Sequence, residues 1–218
     1  MNILKSLFFT IIDTLFPKDI EIKSLEQLAK VNKLTDLPKS ALCPEHWMHA
    51  LFRYQDKMVR SLVWQIKFHG NETLIHTVGV CIAEEILAYI EERGEFLRGE
   101  WLIMPIPTTK KHRKERGFNQ TELLCEEIIK DPAFEMLLYN PHVLIKRKET
   151  LPQTKIKQKQ KRIKNIAGSF AITNANYISG KHIIVIDDVI TTGSTLLEAK
   201  RVLMKAGARS VIAFAIAH

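Results

Sequence analysis

From Trp101 onward, short continuous apolar runs alternate with segments of helical length. The runs read WLIMPIP (101–107), HVLIKR (142–147), GSFAIT (168–173), KHIIVID (181–187) and SVIAFAIA (210–217). Between them lie GFNQTELLCEEIIK (117–130) and STLLEAKRVLMKAG (194–207), the second ended by Gly207. Strands that are apolar on both faces need cover on both faces, and interleaved helices supply it. The pattern predicts an α/β fold with a mostly parallel sheet flanked by helices. In such a sheet ligands bind beyond the carboxyl ends of the strands.

The upstream half is helical in pattern. Met58, Leu62, Val63 and Ile66 share one face of 54–69. Asn71 can cap a following helix with Leu74, Val78, Ile82, Ala83 and Ile86 inside and Gly94 near its end. Residues 17–46 are polar, punctuated by Pro17, Pro38 and Pro44, and read as a small appendage with one short helix at 24–33. At the start, Leu4, Leu7, Phe8, Ile11, Ile12 and Leu15 form an amphipathic stripe. That run carries Lys5 and Asp13 and is too short to span a bilayer. It predicts a helix docked on the domain or on a second copy of the chain, with no integral membrane span and no signal peptide. The division expected is 1–46 as an N-terminal helical appendage and 47–218 as the main domain.

Lysine and arginine total 32 against 24 acids, a formal charge of +8, which points to an anionic partner. Phosphates, nucleic acid and acidic proteins all satisfy it. Three cysteines, Cys43, Cys81 and Cys125, form no C-x-x-C pair. A disulfide framework is therefore not expected, and a cytoplasmic location is.

The stretch IIVIDDVITTGST (183–195) carries the chemistry. The strand ends on Asp187 and Asp188. Thr191, Thr192, Gly193, Ser194 and Thr195 then lead into a helix. A helix N-terminus offers unpaired N–H groups and partial positive charge, the glycine permits close approach, and the hydroxyls add donors. Such a turn suits a terminal phosphate. The carboxylates cannot face that phosphate and instead need donors, which vicinal ribose hydroxyls are. One ligand satisfies both halves: a ribose 5-phosphate. No G-x-x-x-x-G-K-[ST] loop or dinucleotide fingerprint occurs.

A second segment, MPIPTTKKHRKERGFNQTELL (104–124), also follows a strand. Lys110, Lys111, His112, Arg113, Lys114 and Arg116 make a dense positive field there, suited to a pyrophosphate. Asn119 and Gln120 stand where they can cap or orient neighbours.

IIVIDDVITTGST resembles the phosphoribosyl pyrophosphate motif of the type I phosphoribosyltransferases. RGFNQ (116–120) resembles the signature of that family's competence-associated ComF branch. Arg147, Gln153, Arg162, Asn165 and Phe170 match the branch's loop pattern, and 54–70 looks like its upstream segment, so the likeness runs over most of 42–218. It implies a type I phosphoribosyltransferase-like fold. It further implies phosphoribosyl pyrophosphate on Asp187, Asp188 and 191–195. Lys110, Arg113, Arg116, Arg147, Gln153, Arg162 and Asn165 would then serve the pyrophosphate or the loop, and Mg²⁺ would sit near Asp187 and Asp188. The activity implied is phosphoribosyl transfer to an acceptor, with the loop 148–165 closing over the site. No general base or other catalytic residue is assigned. The branch usually opens with a four-cysteine zinc module. Here LCPEHW (42–47) retains only Cys43 and His46 at ligand spacing, so zinc is not expected. The alternative is a competence accessory that binds single-stranded DNA or a competence helicase on the same fold, and a homo-oligomer is compatible with either.

Overall fold

The computed structural model describes residues 18–31, 33–93, 99–147 and 166–218. The amphipathic stripe at 1–16 and the lysine-rich stretch 148–165, with Gln153, Arg162 and Asn165, lie outside the described residues.

In chain order the elements are α1 (Lys18–Lys30), β1 (Met48–Phe52), α2 (Lys57–Trp64), α3 (Glu72–Arg93), β2 (Trp101–Pro105), α4 (Lys110–Arg116) and α5 (Gln120–Ile128). Then follow β3 (Leu138–Tyr139), β4 (Leu144–Lys146), β5 (Phe170–Ile172), β6 (His182–Val189), α6 (Ser194–Lys205) and β7 (Ser210–Ala217). Five strands form one sheet in the order β1-β7-β6-β2-β3, every neighbouring pair parallel. Strand β6 is central: Trp101 to Pro105 pair with His182 to Ile186, and Val189 reaches Ala217.

Side chains of β6 alternate between two cores, as the pleat requires. Ile184 and Ile186 face a layer that includes Leu25 of α1, Leu62 of α2, Val78 and Ile82 of α3, and Leu124 of α5. Ile183 and Val185 face Leu196, Ala199 and Leu203 of α6, together with Leu144 and Phe170. Each such side chain contributes about 1.5–3 kcal/mol when fully buried. Helix α3 is, by length and composition, apolar enough to cross a membrane. Its Leu74, Val78, Ile82, Ile86 and Ile90 are buried in the first of these cores.

Three local readings differ from the sequence pattern. HVLIKR does not join the main sheet: β4 pairs antiparallel with β5 in a separate two-stranded ribbon. The ribbon buries Leu144 and Phe170 and leaves Ile145, Lys146, Ala171 and Ile172 half-exposed, so it packs by one face only. MHALF at 48–52 is an edge strand, hidden in sequence because it is short and follows a proline-punctuated polar stretch. The helix expected from Gly117 starts at Gln120. The basic residues before it make their own helix, α4, capped by Thr109 accepting from the His112 N–H (3.2 Å) and closed at Gly117.

Candidate functional site

Strand β6 runs through the buried sheet centre toward its carboxyl edge and carries the acid pair immediately before its last residue, Val189. Asp187 and Asp188 are each only 8% exposed, more enclosed than strand-end residues facing solvent. Asp187 Oδ1 accepts the Asp188 N–H (2.8 Å), and Asp188 Oδ1 accepts the Val189 N–H (2.7 Å). Asp188 Oδ2 takes two side-chain donors, Gln120 Nε2 (2.8 Å) and the Lys67 ammonium.

The two carboxyls are driven apart. Burial and the charge of Asp188 push Asp187 up to about 7, against the weaker pull of Lys67 and Lys146. Burial also works against ionised Asp188. There the Lys67 charge and the hydrogen bonds from Lys67, Val189 and Gln120 outweigh it and hold the carboxyl below its ordinary range.

Cationic side chains gather around the pair. Arg116 Nη1 donates to Gln120 Oε1 (3.2 Å), and its guanidinium lies 4.9 Å from the Phe68 ring centre. Burial lowers the Arg116 guanidinium, with Asp188 opposing. Burial lowers the Lys146 ammonium, Asp187 opposing and Lys67 adding. Burial, then Arg116, lowers the half-buried His112 imidazole, and Lys146 and Lys67 add to this.

Beyond the acids the chain turns at 191–193 and enters α6. Gly193 is the N-cap residue, with φ +71°, a left-handed conformation that favours glycine. A Cβ there would also stand 3.0 Å from Met48 Sδ and Cε on β1. Thr192 Oγ1 and Ser194 Oγ share a hydrogen bond (3.0 Å), and Ser194 is buried at the first turn of α6.

Asp187, Asp188 and residues 191–195 thus lie on one continuous strand–turn–helix unit. Arg116 reaches the acids through Gln120. Arg113 turns elsewhere, donating to Glu122 Oε1 (2.8 Å). Arg147 is exposed, and its backbone N–H donates to the Ser169 carbonyl (2.7 Å). Lys110 begins α4, its side chain outside the described residues. Cys43 is half-buried and His46 exposed. Among the described residues no three His, Cys, Asp or Glu side chains gather as a metal cluster.

Sequence reading missed Lys67 and Lys146 and gave Gln120 only a general orienting role. Lys67 stands between Ile66 and Phe68 in WQIKFH, the one local signal that could have marked it. Lys146 had none, because the ribbon that carries it was read as part of the main sheet.

The parallel sheet and the strand-end acids followed by a phosphate-type turn define a phosphoribosyltransferase-like protein of type I. The Phosphoribosyl transferase domain family matches residues 132–218. Competence protein ComFC of Bacillus subtilis is 30% identical over 168 residues, 77% of this chain and 62% of that protein. DNA utilization protein YhgH of Escherichia coli O157:H7 is 25% identical over 150 residues, 69% of this chain and 63% of that protein. A solved hypoxanthine phosphoribosyltransferase from Trypanosoma cruzi superposes with a TM-score of 0.39 at 14% identity, covering 66% of this chain and 64% of that one. The chain is thus a phosphoribosyltransferase-like protein similar to competence protein ComFC and DNA utilization protein YhgH. It spans less than two thirds of the length of these curated relatives.

Proposed function

We propose that the chain binds phosphoribosyl pyrophosphate with Mg²⁺ and transfers the phosphoribosyl group to an acceptor, releasing pyrophosphate. One observation carries this reading: a buried acid pair and a glycine–hydroxyl turn share one strand–helix unit at the ligand edge of a parallel sheet. Asp187 and Asp188 would accept from the ribose hydroxyls, while the turn and the N–H groups opening α6 receive the 5-phosphate.

The residues suit Mg²⁺ in a limited way. The ion takes oxygen ligands and keeps several waters. The pair offers carboxylates, and no third ligating side chain joins them among the described residues. Asp187, raised by burial, gains from any cation or donor placed beside it. Asp187 and Asp188 would therefore hold Mg²⁺ together with the ligand's own oxygens, and the ion would neutralise charge on the diphosphate.

In the transfer, the bond from C1 to the pyrophosphate oxygen breaks and its electron pair leaves with pyrophosphate. The acceptor's lone pair forms the new bond to C1. Positive charge builds on the sugar, as in glycoside cleavage. The acid pair would lie on the sugar's side of that charge separation. Lys67, Lys146 and Arg116 would meet the negative charge on the leaving group.

A second reading, an accessory that binds single-stranded DNA, is favoured by the names of the competence and DNA-utilization relatives. Calorimetry with phosphoribosyl pyrophosphate and Mg²⁺, followed by a pyrophosphate-release screen over bases and amines, tests the first reading. Saturable Mg²⁺-dependent binding is expected, and its absence would overturn the assignment.

A further inference from the structure

Asp188 is held by three donors, and its Oδ2 is fully engaged. Oδ1 takes the Val189 N–H, and Oδ2 takes Gln120 and Lys67. A ribose hydroxyl that donates to Oδ2 must displace one of that oxygen's two partners. The Val189 N–H is fixed in β6. Gln120 is buried, and its amide oxygen is held by Arg116. Lys67 is the removable partner: its side chain is 28% exposed, against 11% for Asp188, and it is a point charge on a flexible stem.

The backbone that carries Lys67 is unusual. Residues Gln65–His69 form a single π-helical turn that continues α2 and closes at Gly70. Such turns concentrate at functional positions because they redirect side chains without breaking the helix. This one is packed on both sides. Gln65 and Ile66 are buried, and the Phe68 ring lies 4.0 Å from Trp64 and under the Arg116 guanidinium. The π turn sets Lys67, between Ile66 and Phe68, onto the acid pair.

We propose that Lys67 is a displaceable counter-ion. In the empty site it occupies Asp188, and on binding it moves to the ligand's diphosphate and releases the carboxylate to the ribose. This rests on the function proposed above and adds a selectivity device to it. Lys146 and Arg116 face the same acids, so a multiply charged anion finds cations there and Lys67 has a new partner to join. Ribose 5-phosphate carries the same sugar and phosphate but no diphosphate. It must compete with Lys67 for Asp188 and offers the ammonium nothing in return. The site therefore selects the activated sugar over its pyrophosphate-free counterpart.

The test is calorimetry of the full chain with Mg²⁺, comparing phosphoribosyl pyrophosphate and ribose 5-phosphate on wild type and Lys67→Met. The variant should lose about tenfold or more in affinity for phosphoribosyl pyrophosphate, from the lost charge-assisted contact. It should bind ribose 5-phosphate more tightly than wild type does. A role in folding, or a simple loss of positive field, would weaken both ligands together. Parallel weakening therefore overturns the proposal while leaving the site assignment standing. Wild type that binds neither sugar overturns both. If Lys67→Met does not fold, Lys67→Gln keeps a hydrogen bond to Asp188 without the charge, and the same opposite-sign shift is required of it.

Discussion

At the scale of single residues, Asp187 carries a cost that depends on pH. Its folded value is raised to about 7 by burial and by Asp188. An acid with a raised folded value holds its proton while the unfolded chain has released it. Stability therefore falls as pH rises from the ordinary carboxylate range to about 7, and is level above that. Asp188 works in the opposite sense, its lowered value adding stability that is lost on acidification. Asp187→Asn removes the first contribution and keeps the Oδ1 acceptor for the Asp188 N–H. Urea unfolding should find the variant more stable than wild type at about pH 8, by on the order of 1–3 kcal/mol, with the gap closing toward about pH 4. A gap independent of pH would show that Asp187 is not the strained group. The acids and the hydroxyl turn were legible in sequence because they are contiguous and unusual in composition. Lys67 and Lys146 were not. Each reaches the site from an element far away in the chain, one through a π turn and the other through a ribbon, and neither geometry has a periodic signature.

At the scale of elements, the helices of the first core cross closely because one of them has no side chain at the crossing. Gly79 lies on α3, and a Cβ there would stand 2.5 Å from Glu127 Cβ on α5. That atom is fixed to its own backbone and cannot swing aside. The crossing is also tied by His76 Nδ1 to Glu127 Oε2 (2.9 Å), with Lys130 on the other carboxylate oxygen. Gly79→Ala gains helix propensity of roughly 1 kcal/mol but forces the helices apart, and overpacking costs about 1–3 kcal/mol. The expected net is a loss of stability of about 1 kcal/mol, read as a lower urea midpoint with an unchanged slope. A gain would mean that the two helices can slide freely. Gly79 sat inside the apolar face read from the sequence, yet periodicity alone did not mark it as a crossing point. The same limit explains the strand errors. Long runs with helices on both sides, such as KHIIVID and SVIAFAIA, announced the central strands. MHALF and HVLIKR are short runs at an edge or in a ribbon, and their pairing depends on partners distant in the chain.

At the scale of the whole molecule, the question is what the +8 charge serves. A nucleic-acid track needs exposed cations spread along a path. Several described cations instead have local partners. Arg113 meets Glu122, Arg201 meets Glu198, Lys130 meets Glu127, and Lys181 meets Glu100. Lys39 and Lys200 lie over the rings of Phe52 and Trp47. Among the described residues the cations that converge are Lys67, Lys146 and Arg116, gathered on the acid pair at one end of the sheet. That arrangement fits one compact, multiply charged ligand better than a backbone followed over many nucleotides. Affinity for a single-stranded oligonucleotide should accordingly be weak at physiological salt. The slope of log K against log salt should correspond to few neutralised phosphates, at about −0.7 for each. Phosphoribosyl pyrophosphate with Mg²⁺ should compete with whatever binding remains, because both would use the same cations. Tight binding with a steep salt slope, unmoved by phosphoribosyl pyrophosphate, would place a separate nucleic-acid surface on the molecule. The functional reading would then shift toward the DNA accessory.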